Sequence, residues 1–245
     1  MLAVEGLRLS FRDLPVLCGV NLEIAAGEMV GLVGRSGSGK STLARSLVGL
    51  DRADAGQIRL GGEFIEPGQG SARRQIQYLW QDPSQSLSPF LTAKSAVLET
   101  LNGFDIGAAQ FRVNRAEELL ENLGLERAAW NRRPHALSGG QCQRVAMARA
   151  LAAQSKVLIL DEPLSSLDLI TQISTMELLG KVHSERKTAM LIVSHDLAPL
   201  RRFADRIAVL DQGRIVDDLP VQNMSSKDAH PLLQAYMDVL SDPME

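Results

Sequence analysis

EMVGLVGRSGSGKSTLARSLVGL, residues 28–50, decides the fold. A short apolar run passes into the glycine-rich stretch GRSGSGKS at 34–41, which opens a segment with Leu43, Leu47 and Leu50 at helical spacing. Strand, loop and helix in that order are the context a phosphate-binding loop of the pattern GxxxxGK[ST] requires. Gly34, Gly37 and Gly39 let backbone amides turn inward toward phosphate oxygens, and the positive end of the following helix adds to the attraction. Lys40 contributes a point charge. Ser41 offers a hydroxyl to Mg²⁺, a hard cation that prefers oxygen donors. Arg35, Ser36, Ser38 and Thr42 complete the candidate nucleotide-binding set. The competing reading, an ordinary glycine-rich turn, is disfavoured because every fixed position of the pattern is filled.

Working outward, residues 1–31 alternate apolar and polar positions, with the turn formers Asp13 and Pro15 between two runs, and predict antiparallel strands. GQIRLGGEFI and RQIQYLW give further short strands, after which about fifty residues read as helical. Within them FRVNRAEELLENLGL, residues 111–125, puts Val113, Ala116, Leu120 and Leu123 on one helical face, and Gly124 suits the helix end. From Val157 the strand and helix alternation returns in VLILD, AMLIVS and RIAVL, and DAHPLLQAYMDVL predicts an amphipathic terminal helix. The expected fold is therefore α/β: a phosphate-loop core with an antiparallel β subdomain (1–84 and 136–245) and a helical insertion lobe (85–135), in one domain over 1–245.

Composition excludes several classes. With 245 residues and 45% hydrophobic content the chain can bury a large core, and a net charge of -3 with scattered basic residues argues against a nucleic-acid partner. KVLILD and TAMLIVSHD are far shorter than the ~20 residues of a spanning helix. MLAVEGLRLSF lacks the basic start and apolar block of an export signal. Cys18 and Cys142 lack metal-ligand spacing and are expected to be reduced.

Two further motifs carry chemistry. LILDE at 158–162 is an apolar strand ending in two carboxylates. That places Asp161 beside the phosphate loop, able to hold Mg²⁺ through water, and Glu162 where a general base can polarise an attacking water. Alone, such a pair is a common solvated cap; its weight comes from the loop. LSGGQ at 137–141, followed by CQRVAMARAL, makes a second anion-binding helix start from Ser138, Gly139 and Gly140. One nucleotide site already has its phosphate contacts, so this second start implies another protein surface, unless it is only a helix cap.

Together, and with LSGGQ as the most specific mark, these motifs resemble the nucleotide-binding subunits of ABC transporters over nearly the whole chain. The resemblance implies an ABC-type ATPase with ATP and Mg²⁺ as ligands. In a head-to-tail dimer, Ser138, Gly139, Gly140 and Gln141 would face the phosphate loop of the opposite subunit. It makes Phe11 the aromatic that stacks on adenine, with core packing as the rival reading. Gln81 in YLWQDP matches the glutamine that touches Mg²⁺ and connects to the membrane subunits, and His195 in LIVSHD matches the histidine that contacts the γ-phosphate and supports Glu162. Ser165 and Asp168, in SSLD where SALD is commoner, fall in the segment linking the two sites across the dimer.

A narrower resemblance, in LWQDPSQSLSP, RRPHALSGGQCQRVAMARAL, SSLDLITQ and AHPLL, is to importers of nickel and of peptides. The first expectation from it is nickel or nickel-chelate import, because GRSGSGKSTLARSLVGL and LDEPLSSLDLITQ resemble the nickel branch most; the lack of the cysteine-rich tail that peptide-branch members often carry leans the same way. A dipeptide or oligopeptide importer is the alternative, and a non-transport ABC ATPase or an exporter subunit fits less well. The implied partners are an identical or paralogous ATPase subunit, two transmembrane permeases and an extracytoplasmic substrate-binding protein. The implied location is the cytoplasmic face of the cell membrane, as a peripheral subunit.

Overall fold

The alternating pattern of the first two dozen residues folds as strands β1 (Leu2–Phe11) and β2 (Leu14–Ile24), antiparallel with Leu2 opposite Ile24 and Phe11 opposite Leu14. The computed structural model describes residues 1–82, 86–164, 169–224 and 229–241. The reversal takes only Arg12 and Asp13, at φ 48° and 67°, the left-handed pair of a tight hairpin. Pro15 is not in this turn. It lies in β2 opposite Ser10, and β2 is an edge strand of its sheet, where a residue without N–H is tolerated. With β4 (Ala55–Leu60) and β5 (Glu63–Phe64) these strands form a four-stranded sheet in the order β2-β1-β4-β5.

The second sheet contains β3 (Met29–Val33), β6 (Ile76–Leu79), β7 (Val157–Asp161), β8 (Ala189–Val193), β9 (Arg206–Asp211) and β10 (Arg214–Pro220), in the order β10-β9-β3-β8-β7-β6. All neighbours are parallel except β10 with β9. Every residue of β3, β7 and β8 is buried, as continuous apolar runs in a sheet covered on both faces require. Their side chains alternate between two apolar clusters. Val30, Leu32, Ile159, Leu191 and Val193 face the antiparallel sheet and helix α1 (Lys40–Leu47). Met29, Val33, Leu158, Leu160 and Ile192 face the other way, into a cluster that continues through the helices between β6 and β7.

After the short α2 (Ala72–Gln75) and β6, the chain is helical: α3 (Ala93–Gly103), α4 (Arg112–Asn122) and α5 (Gly139–Ala152) pack on one another. The buried stripe of α4 is Ala116, Leu119 and Leu120, continued by Leu123 just past its end, whereas Val113 is 44% exposed. The reading of Val113 as a core position therefore fails, because no residue of the first turn of α4 is buried. Gly124 does end this helix: at φ 68° it donates to Glu121 O while Leu125 N donates to Leu120 O, the paired bonds of a Schellman cap. Helices α6 (Leu169–Arg186), α7 (Leu197–Phe203) and α8 (Pro231–Ser241) complete the chain. Among the described residues no helix is long and apolar enough to cross a membrane.

One charged cluster ties the start of β3 to its neighbours. Arg206 on β9 donates to both Glu28 oxygens (2.9 and 3.3 Å) and to Asp218 on β10, and Glu28 also accepts from Ala25 N. Burial works to raise the Glu28 carboxyl, but the Arg206 and Ala25 hydrogen bonds outweigh it and hold the group below its ordinary 4.5. A depressed carboxyl contributes stability that is complete above its unfolded value and is lost as pH falls through the folded one. Glu28→Gln is expected to cost about 1–3 kcal/mol at neutral pH. In chemical denaturation, the gap to wild type should narrow as pH drops below 4.5.

Candidate nucleotide site at the carboxyl ends of the strands

Because β3, β6, β7 and β8 run in parallel, the residues that follow them emerge at one edge of the sheet. There they surround a cleft of about 380 Å³. Of the residues singled out in the sequence, Gly34, Ser36, Gly37, Gly39, Lys40, Ser41 and Thr42 line it on one side, and Gln81, Glu162 and His195 on the other.

The loop is held by its own polar groups. Lys40 Nζ donates to the carbonyls of Gly34 (2.8 Å) and Arg35 (3.0 Å), and Ser38 N donates to Arg35 O. Gly213 N, in the β9–β10 turn, donates to Ser38 O and anchors the loop from outside. Gly34 has φ 155°, and a Cβ there would lie 2.1 Å from the carbonyl oxygen of Leu210. Burial pushes the Lys40 ammonium down from its ordinary value, opposed by the carboxylates of Glu162 and Asp161. Ser38 Oγ is buried and has no hydrogen-bond partner among the described residues. A glycine-rich loop carrying a lysine at the mouth of a cleft suits a polyphosphate.

Asp161 is 2% exposed and reaches the loop directly: Ser41 Oγ donates to Oδ1 at 3.3 Å, and Tyr78 OH donates to Oδ2 at 2.7 Å. Glu162 takes φ 50°, a left-handed conformation costing about 1 kcal/mol or more in a non-glycine residue, and its N–H donates to Val193 O. This kink turns the chain off the strand just where the second carboxylate enters the cleft. His195 Nδ1 lies 2.9 Å from Glu162 Oε1, within hydrogen-bond distance.

Other sequence-derived candidates lie elsewhere. Phe11 is 46% exposed at the end of β1, so it is not a core residue, and it does not line the cleft. Ser138 and Gln141 form a capping box at the start of α5, Ser138 Oγ accepting from Gln141 N and Gln141 Oε1 from Ser138 N. With Gly139 and Gly140 they are also outside this cleft. A Cβ on Gly139 would have no neighbour within 4 Å, so nothing inside the chain requires a glycine there. Ser165 and Asp168 lie outside the described residues.

The site also holds residues that sequence reasoning missed. Val16 of β2 and Tyr236 of α8 line the cleft. Burial raises the Tyr236 phenol, with Arg35 opposing and Glu162 adding. Both tyrosines of the chain thus end at this site. Tyr78 carried a signal, since a phenol in a short buried strand needs a hydrogen-bond partner; Val16 and Tyr236 carried none. A larger cleft, about 520 Å³ between Leu7, Asp51, Phe64 and Pro67, contains none of the motif residues.

Comparison with known proteins gives the family. The ABC transporter family profile matches residues 17–165. The chain is 37% identical over 99% of its length, and 79% of the relative's, to a protein of Brucella ovis provisionally named a peptide import ATP-binding protein. A similarly named protein of Brucella abortus is 39% identical over 96% of this chain and 71% of its own. A dimeric ATP-binding cassette in a post-hydrolysis state with ADP and Pi superposes with TM-score 0.82 at 32% identity, covering 90% of this chain and 99% of that one. An ATP-binding subunit of an ABC transporter superposes with TM-score 0.85 at 26% identity, covering 99% and 100%. The chain belongs to the ABC transporter family, as an ATP-binding, ATP-hydrolysing domain.

Gly34→Ala tests the cradle. The added methyl collides with the Leu210 carbonyl, so stability should fall by about 1–3 kcal/mol. ATP affinity, read by fluorescent-nucleotide titration, should drop at least about tenfold, the loss of one charge-assisted contact. Undiminished binding would show that the loop does not hold the phosphates.

Proposed function

We propose that this chain is the ATP-hydrolysing subunit of an importer that moves peptides across the cell membrane. The observation that carries the hydrolytic part is the meeting of the phosphate loop with the Glu162–His195 pair in one cleft. Nickel import, the first expectation from the sequence motifs, gains no support from the comparisons. The provisional names of the relatives support the peptide alternative.

In this reading the loop from Gly34 to Thr42 binds the triphosphate. Lys40 exchanges its two carbonyl partners for phosphate oxygens. Ser41, Asp161 and Gln81 supply hard oxygen donors that fit Mg²⁺, which when bound would neutralise charge on the β- and γ-phosphates. Glu162 takes a proton from water as the water oxygen bonds to the γ-phosphorus and the bond to the β–γ bridging oxygen breaks, releasing ADP and phosphate. His195 keeps the Glu162 carboxylate in place. Phe11, exposed at the end of β1, is the adenine platform.

A second ATPase subunit, identical or paralogous, completes the site. Support comes from the exposed start of α5, where Ser138, Gly139, Gly140 and Gln141 present amides and a hydroxyl, and where Gly139 leaves room for a close approach. Ser165 and Asp168 belong to the same dimer contact. Residues 85–135 act as a lobe that meets two permease subunits, a role that suits Phe90, 80% exposed. An extracytoplasmic binding protein selects the substrate, and this chain works at the cytoplasmic face.

A strain lacking this chain, complemented with wild type or Glu162→Gln, separates the readings. Labelled dipeptide uptake should be lost and restored by wild type only, while the purified variant binds ATP but hydrolyses it at least about 100-fold more slowly. Loss of nickel uptake with intact dipeptide uptake would return the assignment to nickel, and rapid turnover by Glu162→Gln would remove Glu162 as base.

A further inference from the structure

Tyr78 and Asp161 meet across the β6–β7 pair. The strands are parallel with Tyr78 opposite Ile159, so the phenol leans two residues ahead to the end of β7 and donates to Asp161 Oδ2 at 2.7 Å. Oδ1 accepts from Ser41 Oγ at 3.3 Å. At 2% exposure, Asp161 relies on protein donors where an exposed carboxylate would use water. The two lengths separate the roles of the two bonds. A 2.7 Å hydroxyl–carboxylate bond is a good charge-assisted one, whereas 3.3 Å lies outside the usual O–H···O range. The Tyr78 bond is therefore the fixed one, and the Ser41 bond is the one a ligand can exchange. Trp80 meets the Tyr78 ring edge-on at 5.3 Å and 76°, which holds its orientation.

We propose that Tyr78 is a positioning residue of the nucleotide site: by holding Asp161 Oδ2, its hydroxyl turns Oδ1 toward Ser41, so that the two oxygens are offered together to the Mg²⁺ of MgATP. The inference rests on the assignment of Ser41 and Asp161 as Mg²⁺ donors made above. Tyr78 does not line the cleft and acts only through Asp161. This is the arrangement by which an outer hydrogen-bond partner orients a metal ligand.

Tyr78→Phe removes the hydroxyl and keeps the ring. A fluorescent ATP analogue is titrated into the full chain in EDTA and again at saturating Mg²⁺, and the ratio of the two affinities gives the Mg²⁺-dependent gain. For Tyr78→Phe the EDTA affinity should stay within about twofold of wild type while the gain shrinks about tenfold, the usual effect of losing an outer partner. A gain equal to wild type overturns the proposal. Trp80→Leu removes the ring contact but leaves the hydroxyl, and should keep the gain; if it loses as much as Tyr78→Phe, packing alone explains the effect and the proposal falls. Asp161→Asn separates the levels: a gain that survives it removes the underlying metal assignment, whatever Tyr78 does.

Discussion

The parallel pairing of β3, β8 and β7 is the constraint on which the rest depends. Met29 lies opposite Met190 and Leu158 opposite Met190 on its other side, so the three strands advance in step and end together. Whatever follows each strand is then delivered to the same edge: the phosphate loop after β3, Asp161 and Glu162 at the end of β7, His195 after β8. Burial of all five residues in each strand fixes the register, because a slip of one position would exchange the contents of the two apolar clusters.

Onto that rigid edge the chain places groups that are costly to hold without a ligand. Lys40 is partly buried and donates to two carbonyls, Ser38 Oγ is buried with no hydrogen-bond partner among the described residues, and Glu162 adopts a left-handed backbone. Local costs of this kind persist where the surrounding structure over-determines them. Here the surroundings are two apolar clusters and the Arg206 clamp at the opposite end of β3.

The features that could be read from sequence are those with a fixed local grammar. GRSGSGKS between strand and helix, an acid pair at a strand end, and a helix start at Ser138 all declare themselves within a few residues; the cleft is lined by residues of the first together with Glu162 of the second, and Ser138 does cap its helix. Features set by tertiary geometry were harder to see. Pro15 looked like a turn residue until the edge position of β2 accounted for it, and Val113 matched helical spacing but lies in a turn of α4 with no buried residue. Tyr236 comes from a helix near the end of the chain, and no spacing rule connects it to a loop two hundred residues earlier.

The central claim is that nucleotide binds at the carboxyl ends of the strands, in the cleft lined by Lys40, Glu162 and His195. Amide hydrogen exchange with and without MgATP tests it most directly. The account predicts slowed exchange at residues 35–43 and around Glu162 and His195, with little change elsewhere in the isolated chain. Protection confined to the larger cleft between Leu7, Asp51 and Pro67 would contradict it.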